Sequence, residues 1–275
     1  MRKRTIQDKL ISNVLSLWYK FTDPLLLKYA RYKHEKSYKN IEERPLISII
    51  IATYDRGQLL IDRTLPSIFA QTYQNFEVLI VGDCCVDETP HILSQIKSPK
   101  VKFVNLPERT KYPEDPTLRW FISGVGPLNH GLKIAKGKWI CSFDDDDIMA
   151  PDYLENLLHF AQSEKHEYVA GLYEEEREGV RTVRGMKTDE CPEFGGHSTW
   201  LYRSYLRCFK YNVNSWRKSY NCPQDIDLQL RIINAGVKMA SLNKVVSYIR
   251  PRPGQTTIGL AARLQDTNEG SLSEK

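Results

Sequence analysis

The stretch Leu46-Ile47-Ser48-Ile49-Ile50-Ile51-Ala52 narrows the fold more than any other part of this chain. It is a nearly unbroken β-branched run without the apolar/polar alternation of a strand that has one wet face, so it reads as a strand buried on both sides. Strands covered on both faces belong to parallel sheets flanked by helices. The sequence that follows keeps to that plan. Leu59 to Ala70 carries apolar residues at helical intervals, with Pro66 kinking or delaying the helix. Phe76 to Val81 is a second strand ending at Gly82-Asp83, and Thr89-Pro90 opens a helix as cap then proline. Val101 to Asn105 is a third strand, Pro107 to Pro127 a proline-rich loop, Leu128 to Ala135 a helix, and Lys138 to Phe143 a fourth strand. A helix begun by Pro151 shows Leu154, Leu157 and Leu158 on one face.

The later half is less regular. Tyr168 to Tyr173, Val180 to Gly185, Trp200 to Arg203 and Val237 to Ile249 are strand-like. Pro223 to Asn234 reads as a helix closed by Gly236. Strands alternating with helices predict an α/β fold whose ligands sit at the carboxyl ends of the strands. The expected organisation is a leader at 1–44, a main domain at 45–250 divided near residue 150 into a donor half and an acceptor half, and a polar tail at 251–275.

The net charge of +5 misleads until it is located. Residues 1–40 hold ten Lys/Arg against three Asp/Glu, so the rest of the chain is slightly acidic. That distribution argues against nucleic-acid binding by the main domain. Within the leader, Ile6, Leu10, Val14, Leu17, Trp18 and Phe21 recur near helical spacing among basic residues. Such a helix suits an anionic bilayer surface, or a face of its own domain or a partner subunit. Its apolar stretches are too short to span a membrane. The six cysteines (Cys84, Cys85, Cys141, Cys191, Cys208, Cys222) show no metal or disulfide spacing. No secretory signal is evident, so the thiols read as reduced and the chain as cytoplasmic, free or peripheral on the inner face of the membrane.

The chemistry is announced by Phe143-Asp144-Asp145-Asp146-Asp147. Four adjacent carboxylates at the end of a buried strand repel one another steeply unless something positive offsets them. A solvated acidic turn is the bland reading. A hard divalent cation, Mg²⁺ or Mn²⁺ carrying a substrate diphosphate, is the functional one. Asp83 at a second strand end and Asp225 with Asp227 at a helix start complete a set of carboxylates where an α/β sheet gathers its site. His197, after Gly195-Gly196, is either a ligand of diphosphate or acceptor or a plain loop histidine. Trp200, Trp216 and Tyr220 are either a platform for a sugar ring or core.

Four segments resemble family 2 glycosyltransferases. Pro45 to Gly57 (P-L-I-S-I-I-I-A-T-Y-D-R-G) is similar to the family's opening strand and turn. Thr64 to Pro90, with Q-T-Y-Q-N-F-E, is similar to its next helix and strand. Asn129 to Pro151 resembles its N-x-G-L block leading into F-x-D-x-D-D, and Gln224 to Gly236 its E-D-x-D-L-x-L-R. The resemblance covers about residues 45–250. It implies a GT-A fold, with a Rossmann-like mixed sheet flanked by helices, and an inverting, metal-dependent transferase acting on a nucleoside-diphosphate sugar. Carried over by position, Thr53, Asp55, Asp83 and Asp145 contact the nucleotide. Asp144 and Asp146 are the metal ligands, with Asp147 beside them, and Asp225 is the general base.

Departures are informative as well. Leu128 stands where the family has Arg, with Arg119 as a stand-in, and Gln224 replaces the Glu before the base. No Q-x-x-R-W element marks a processive synthase. On the acceptor side His197, Trp200 and Asp227 are the candidates. The resemblance implies a UDP-sugar donor first, with GDP- and dTDP-sugars as alternatives, and a glycan or lipid-linked acceptor in surface polysaccharide or glycolipid synthesis. A nucleotidyltransferase would need a glycine-rich basic loop after the first strand, which Ala52 to Gly57 is not. A non-catalytic nucleotide-sugar-binding module is the remaining rival.

Overall fold

The β-branched run forms β1 (Ile47–Thr53), and both of its faces are covered as its composition requires. The computed structural model describes residues 4–39, 42–185, 195–218 and 223–264, so Cys191, Tyr220 and Cys222 lie outside the described residues. α1 (Ile6–Lys39) precedes β1. After it come α2 (57–69, with a π-turn at Leu60–Thr64), β2 (Phe76–Gly82), α3 (Thr89–Ser94), β3 (Val101–Asn105), α4 (Pro116–Phe121) and α5 (Val125–Ile134). Next are β4 (Trp139–Asp144), the short β5 (Ile148–Met149), α6 (Tyr153–Ser163), β6 (Tyr168–Arg177) and β7 (Val180–Arg184). β8 (Trp200–Arg203), α7 (Gln224–Asn234) and β9 (Met239–Ile249) complete the order.

The strands form one mixed sheet in the order β3-β2-β1-β4-β8-β6-β9-β5, with β7 paired to β6. The first four are mutually parallel. β8 then runs antiparallel to both β4 and β6. Side-chain parity along β1 divides the core. Ile47, Ile49 and Ile51 join Leu60, Ile68, Tyr153 and Leu157 on one face, whereas Ile50 joins Leu128, Leu132, Leu228 and Ile232 on the other. This is the Rossmann-like, helix-flanked sheet that the sequence implies.

α5 lies close on β1 because Gly131 has no side chain. A Cβ there would stand 2.3 Å from Cγ2 of Ile50. The chain order turns back at β1, which has β2 on one edge and β4 on the other. A crevice therefore opens at the strands' carboxyl ends. The register brings Thr53 beside Gly82 and Ala52 beside Asp144 at that edge.

Several local expectations are corrected. Thr89 is the first residue of α3 rather than its cap, because its Oγ1 accepts the Gly57 N–H at 2.8 Å. α6 begins at Tyr153, since Pro151 is held in the preceding turn by the Thr72 N–H on its carbonyl at 2.9 Å. The 107–127 stretch is not all loop. Asp115 caps α4 by accepting from the N–H groups of Thr117 and Leu118. Pro127 falls in the first turn of α5, where a missing N–H costs nothing. Beyond Pro251 the chain is not a solvent-borne tail as far as Leu264: Ile258 and Ala262 are buried, and the segment folds back against the crevice.

α1 docks one face on its own domain. Leu27 and Ala30 enter the second core face. Asp23 accepts from Arg231 Nε at 2.8 Å and Nη2 at 3.0 Å, both side chains being nearly inaccessible. Asp8 pairs with Arg217, and Arg31 with Glu167. Breaking a buried ion pair strands the remaining charge. Asp23→Ala should therefore destabilise the fold by roughly 3–5 kcal/mol, read as a lower midpoint in urea unfolding.

Candidate active site

The crevice at the strand ends is a cleft of about 630 Å³. Thr53, Asp83, Arg119, Asp144, Asp145, Asp146, His197 and Asp225 all line it. Each arrives by a different route. Thr53 ends β1, Asp83 follows β2, Asp144 ends β4, and Asp145 and Asp146 occupy the turn between β4 and β5. His197 sits in a short helical turn before β8, and Asp225 in the first turn of α7.

Asp83 is buried and accepts three hydrogen bonds: from the Thr110 N–H at 3.0 Å, the Thr110 hydroxyl at 2.7 Å and the Tyr112 hydroxyl at 2.5 Å. The loop after β3 therefore lies over this acid. Asp145 turns inward, accepting from the Thr53 hydroxyl at 2.7 Å and from Arg56 at 2.8 Å. Asp146 faces Arg56 at 3.5 Å and Arg252 at 3.6 Å. Desolvation and the neighbouring Asp145 push its carboxyl up to about 6 despite those cations. Desolvation and the charges of Asp144 and Asp146 lift Asp147 well above the usual carboxylate range, and its buried Oδ2 has no hydrogen-bond partner.

A second chain of contacts runs through the histidine. Asp144 Oδ1 lies 2.9 Å from His197 Nδ1, and His197 Nε2 lies 3.0 Å from the Tyr211 hydroxyl. Tyr211 donates in turn to the Ser142 hydroxyl at 2.9 Å. Asn129 clamps the backbone of Tyr211 by two hydrogen bonds, which gives the Asn of the N-x-G block a physical task. Burial works against charge on His197, but the charge and hydrogen bond of Asp144 and the field of Asp225 raise its pKa above the ordinary value. Burial likewise works against charge on Asp144, yet His197 and the Ser198 hydroxyl pull that carboxyl below its ordinary value.

Asp225 responds differently. Desolvation outweighs His197 and the backbone N–H groups of the helix start, so its pKa is raised, and its Oδ1 has no hydrogen-bond partner. A helix start favours an ionised carboxylate, but here burial outweighs it. A lifted carboxyl with a free oxygen in a cleft can accept a proton. Gln224 beside it donates to the Ser123 carbonyl, a bond the family's Glu could not make, and so ties the start of α7 to the turn before α5.

Four sequence candidates fall elsewhere. Asp55 adopts a positive φ of 51° and accepts the Val86 N–H at 3.0 Å, stabilising the 84–87 turn away from the cleft lining. Trp200 is buried behind the cleft, edge-on to His197, as alternation along β8 dictates. Asp227 is fully buried and paired with Lys218, on the side of α7 turned from Asp225. Trp216 packs against the second core face, under Arg217. Arg119 reaches the cleft, held by the carbonyls of Pro113 and Glu114.

What sequence reading missed is the arginine wall. Arg56, Arg109, Arg250, Arg252 and Arg263 also line the cleft. Burial and the charges of Arg56, Arg119 and Arg252 lower the pKa of Arg263, so positive charge is crowded here. Arg56 stood within the quoted T-Y-D-R segment, whereas Arg252 and Arg263 lay in the presumed tail. Among the described residues, no three His, Cys, Asp or Glu side chains converge as a metal cluster. The acids still fit a hard cation that takes one or two carboxylates and completes its shell with phosphate and water, the habit of Mg²⁺ at nucleotides. The unpartnered oxygen of Asp147 is consistent with that donor set.

The profile of glycosyl transferase family 2 matches residues 48–113 and 124–222, more than half of the chain. The chain is 28% identical over 217 residues to the Escherichia coli UDP-Glc:alpha-D-GlcNAc-diphosphoundecaprenol beta-1,3-glucosyltransferase WfaP, covering 77% of this chain and 80% of that protein. It is 26% identical over 216 residues to the putative glycosyltransferase EpsE of Bacillus subtilis, covering 75% and 73%. In fold it is similar to S. aureus TarS 1-349 in complex with UDP-GlcNAc, with a TM-score of 0.58 at 19% identity, over 76% of this chain and 60% of that one. It is also similar to the mannosyltransferase PcManGT from Pyrobaculum calidifontis in complex with GDP-Man and Mn2+, with a TM-score of 0.59 at 18% identity, over 90% and 70%. The matched residues, the strand order and the acids at the strand ends lead to one assignment: the chain is a glycosyltransferase and belongs to glycosyl transferase family 2.

Proposed function

We propose that this chain transfers a sugar from a nucleoside-diphosphate donor, a UDP-sugar in preference to a GDP- or dTDP-sugar, to an acceptor hydroxyl by one in-line displacement with inversion. The observation that carries the reading is the convergence of Asp83, Asp144, Asp146 and Asp225 on one cleft walled by arginines. Asp83 has an oxygen suited to the ring N–H of uracil or thymine. Arg56, Arg252 and Arg263 supply cationic forks for the diphosphate, whose binding would relieve their mutual repulsion. Asp144 and Asp146 would hold the divalent cation, Mn²⁺ or Mg²⁺, and when bound it offsets negative charge growing on the leaving group.

Asp225 takes the acceptor proton, its raised pKa making it the stronger base once ionised. His197 fixes the carboxylate of Asp144 and adds a positive field between it and Asp225. With one base and no covalent intermediate, the sugar carbon inverts. The acceptor in WfaP's name, a diphosphoundecaprenol-linked sugar, supports a lipid-linked or glycan acceptor in surface polysaccharide or glycolipid synthesis for this chain too. Departure from a processive polymerase is supported by the missing Q-x-x-R-W element.

The test is a thermal-shift panel of UDP-, GDP- and dTDP-sugars with and without Mn²⁺, followed by release of nucleoside diphosphate. The melting temperature should rise most with a UDP-sugar plus Mn²⁺, and that donor should be slowly hydrolysed. Absence of any nucleotide-dependent shift would refute the donor assignment. A shift without hydrolysis or transfer would mark a binding module instead.

A further inference from the structure

α1 is seated on its domain by a mixed stripe that turns both of its buried carboxylates inward. Its inaccessible positions are Asp8, Ser12, Asp23, Leu27 and Ala30, which fall on one stripe at 3.6 residues per turn. On the opposite stripe Ile6, Leu10, Val14, Leu17, Phe21 and Leu25 recur at intervals of four, four, three, four and four. All six are exposed, Ile6 by 87% and Phe21 by 69%. Trp18, Tyr29 and Tyr32 extend the same face, also exposed. A soluble surface helix has the reverse arrangement, with its apolar stripe toward the core. A continuous apolar stripe turned outward marks a surface that something else covers.

The charges indicate what covers it. Between residues 4 and 34 the only carboxylates are Asp8 and Asp23, and both point inward, paired with Arg217 and Arg231. Lys9, Lys20, Lys28 and Lys33 are exposed. At 100° per residue Lys28 falls within the apolar stripe, Lys20 and Lys33 lie about 40° beyond the two edges of the face that Trp18 and Tyr29 extend, and Lys9 about 60° beyond. The outward surface of this segment therefore carries apolar groups, aromatic rings and ammonium groups, with no acid among them. No helix among the described residues is long and apolar enough to cross a membrane.

We propose that this face of α1 lies in the interfacial plane of an anionic bilayer. The apolar stripe sits at the headgroup–acyl boundary, Trp18, Tyr29 and Tyr32 at the level where amphipathic rings settle, and the lysines against lipid phosphates. A second copy of the helix is the poorer occupant, because paired stripes would set lysines against lysines with no carboxylate to answer them. The inference stands on α1 alone and does not depend on the transfer chemistry.

The test is flotation of the full chain with vesicles of phosphatidylcholine, or of phosphatidylcholine with phosphatidylglycerol. The chain should float with the anionic vesicles and not with the zwitterionic ones. Removing charge as Lys9→Gln/Lys20→Gln/Lys28→Gln should weaken partitioning about a hundredfold, since each lysine near the surface contributes about fivefold. Trp18→Ser/Phe21→Ser should weaken it as well. These side chains are exposed, so circular dichroism, melting temperature and UDP-sugar binding should stay unchanged, which separates this result from the fate of the transferase reading. The proposal is overturned if both variants float like the parent. It is equally overturned if the parent ignores anionic vesicles, whether it stays monomeric or forms a dimer that Trp18→Ser/Phe21→Ser dissolves.

Discussion

Asp225→Asn should lower the turnover number for sugar transfer by about 10²–10⁴-fold, the usual contribution of a positioned general base. The affinity for the donor should stay within about twofold, because the change is isosteric and the acid serves the acceptor's proton. The fold should not suffer. Asp225 Oδ1 makes no hydrogen bond to the protein, and desolvation already disfavours its charge. A neutral amide at this position removes that penalty, so the melting temperature should hold or rise. Transfer assayed beside donor binding and thermal melting separates the three quantities. Near-normal turnover in this variant would show that another group takes the proton.

Asp146→Ala should act on the opposite side of the reaction. In Mn²⁺ the affinity for a UDP-sugar should fall on the order of a hundredfold, since losing one charged contact costs about 2–3 kcal/mol and about 1.4 kcal/mol is a factor of ten. Under a chelator the sign should change. Arg56 and Arg252 both face Asp146, so removing the acid leaves less negative charge to offset them against the diphosphate, with Arg56 still held by Asp145. Metal-free nucleotide should then bind the variant at least as tightly as the parent. Titration calorimetry in both conditions reads the contrast. A variant whose Mn²⁺-dependent affinity is unchanged would remove Asp146 from the metal site.

The first half of this fold was legible because parallel strands buried on both sides are written as unbroken apolar runs. Ile47 to Thr53, Phe76 to Gly82 and Trp139 to Asp144 could each be read locally, and the acids at their ends came with them. β6 and β9 were harder, since they pair across about 70 residues with bulges near Ala170 and Leu172 that no local pattern encodes. The arginine wall was hidden for a related reason: Arg252 and Arg263 reach the cleft only because the chain beyond Pro251 folds back. Other errors were avoidable. Asp227 stands two residues from Asp225 on one helix, about 200° around its axis, so both could not face one cleft. Trp200 and Tyr202 alternate with Leu201 on β8, which already placed the Trp in a packed layer. His197 could not have been resolved, because its role rests on Asp144 and Tyr211, which only the folded chain brings to either side of its ring.

The docked side of α1 bears on how this protein can be shortened. A version trimmed to start at residue 45 would leave Arg231 and Arg217 without Asp23 and Asp8, and would uncover the apolar cluster that Leu27 and Ala30 close. Arg231 belongs to the same helix that aims Asp225. An inactive truncation would thus report a misplaced proton acceptor, and would say nothing about whether lipid is needed for turnover.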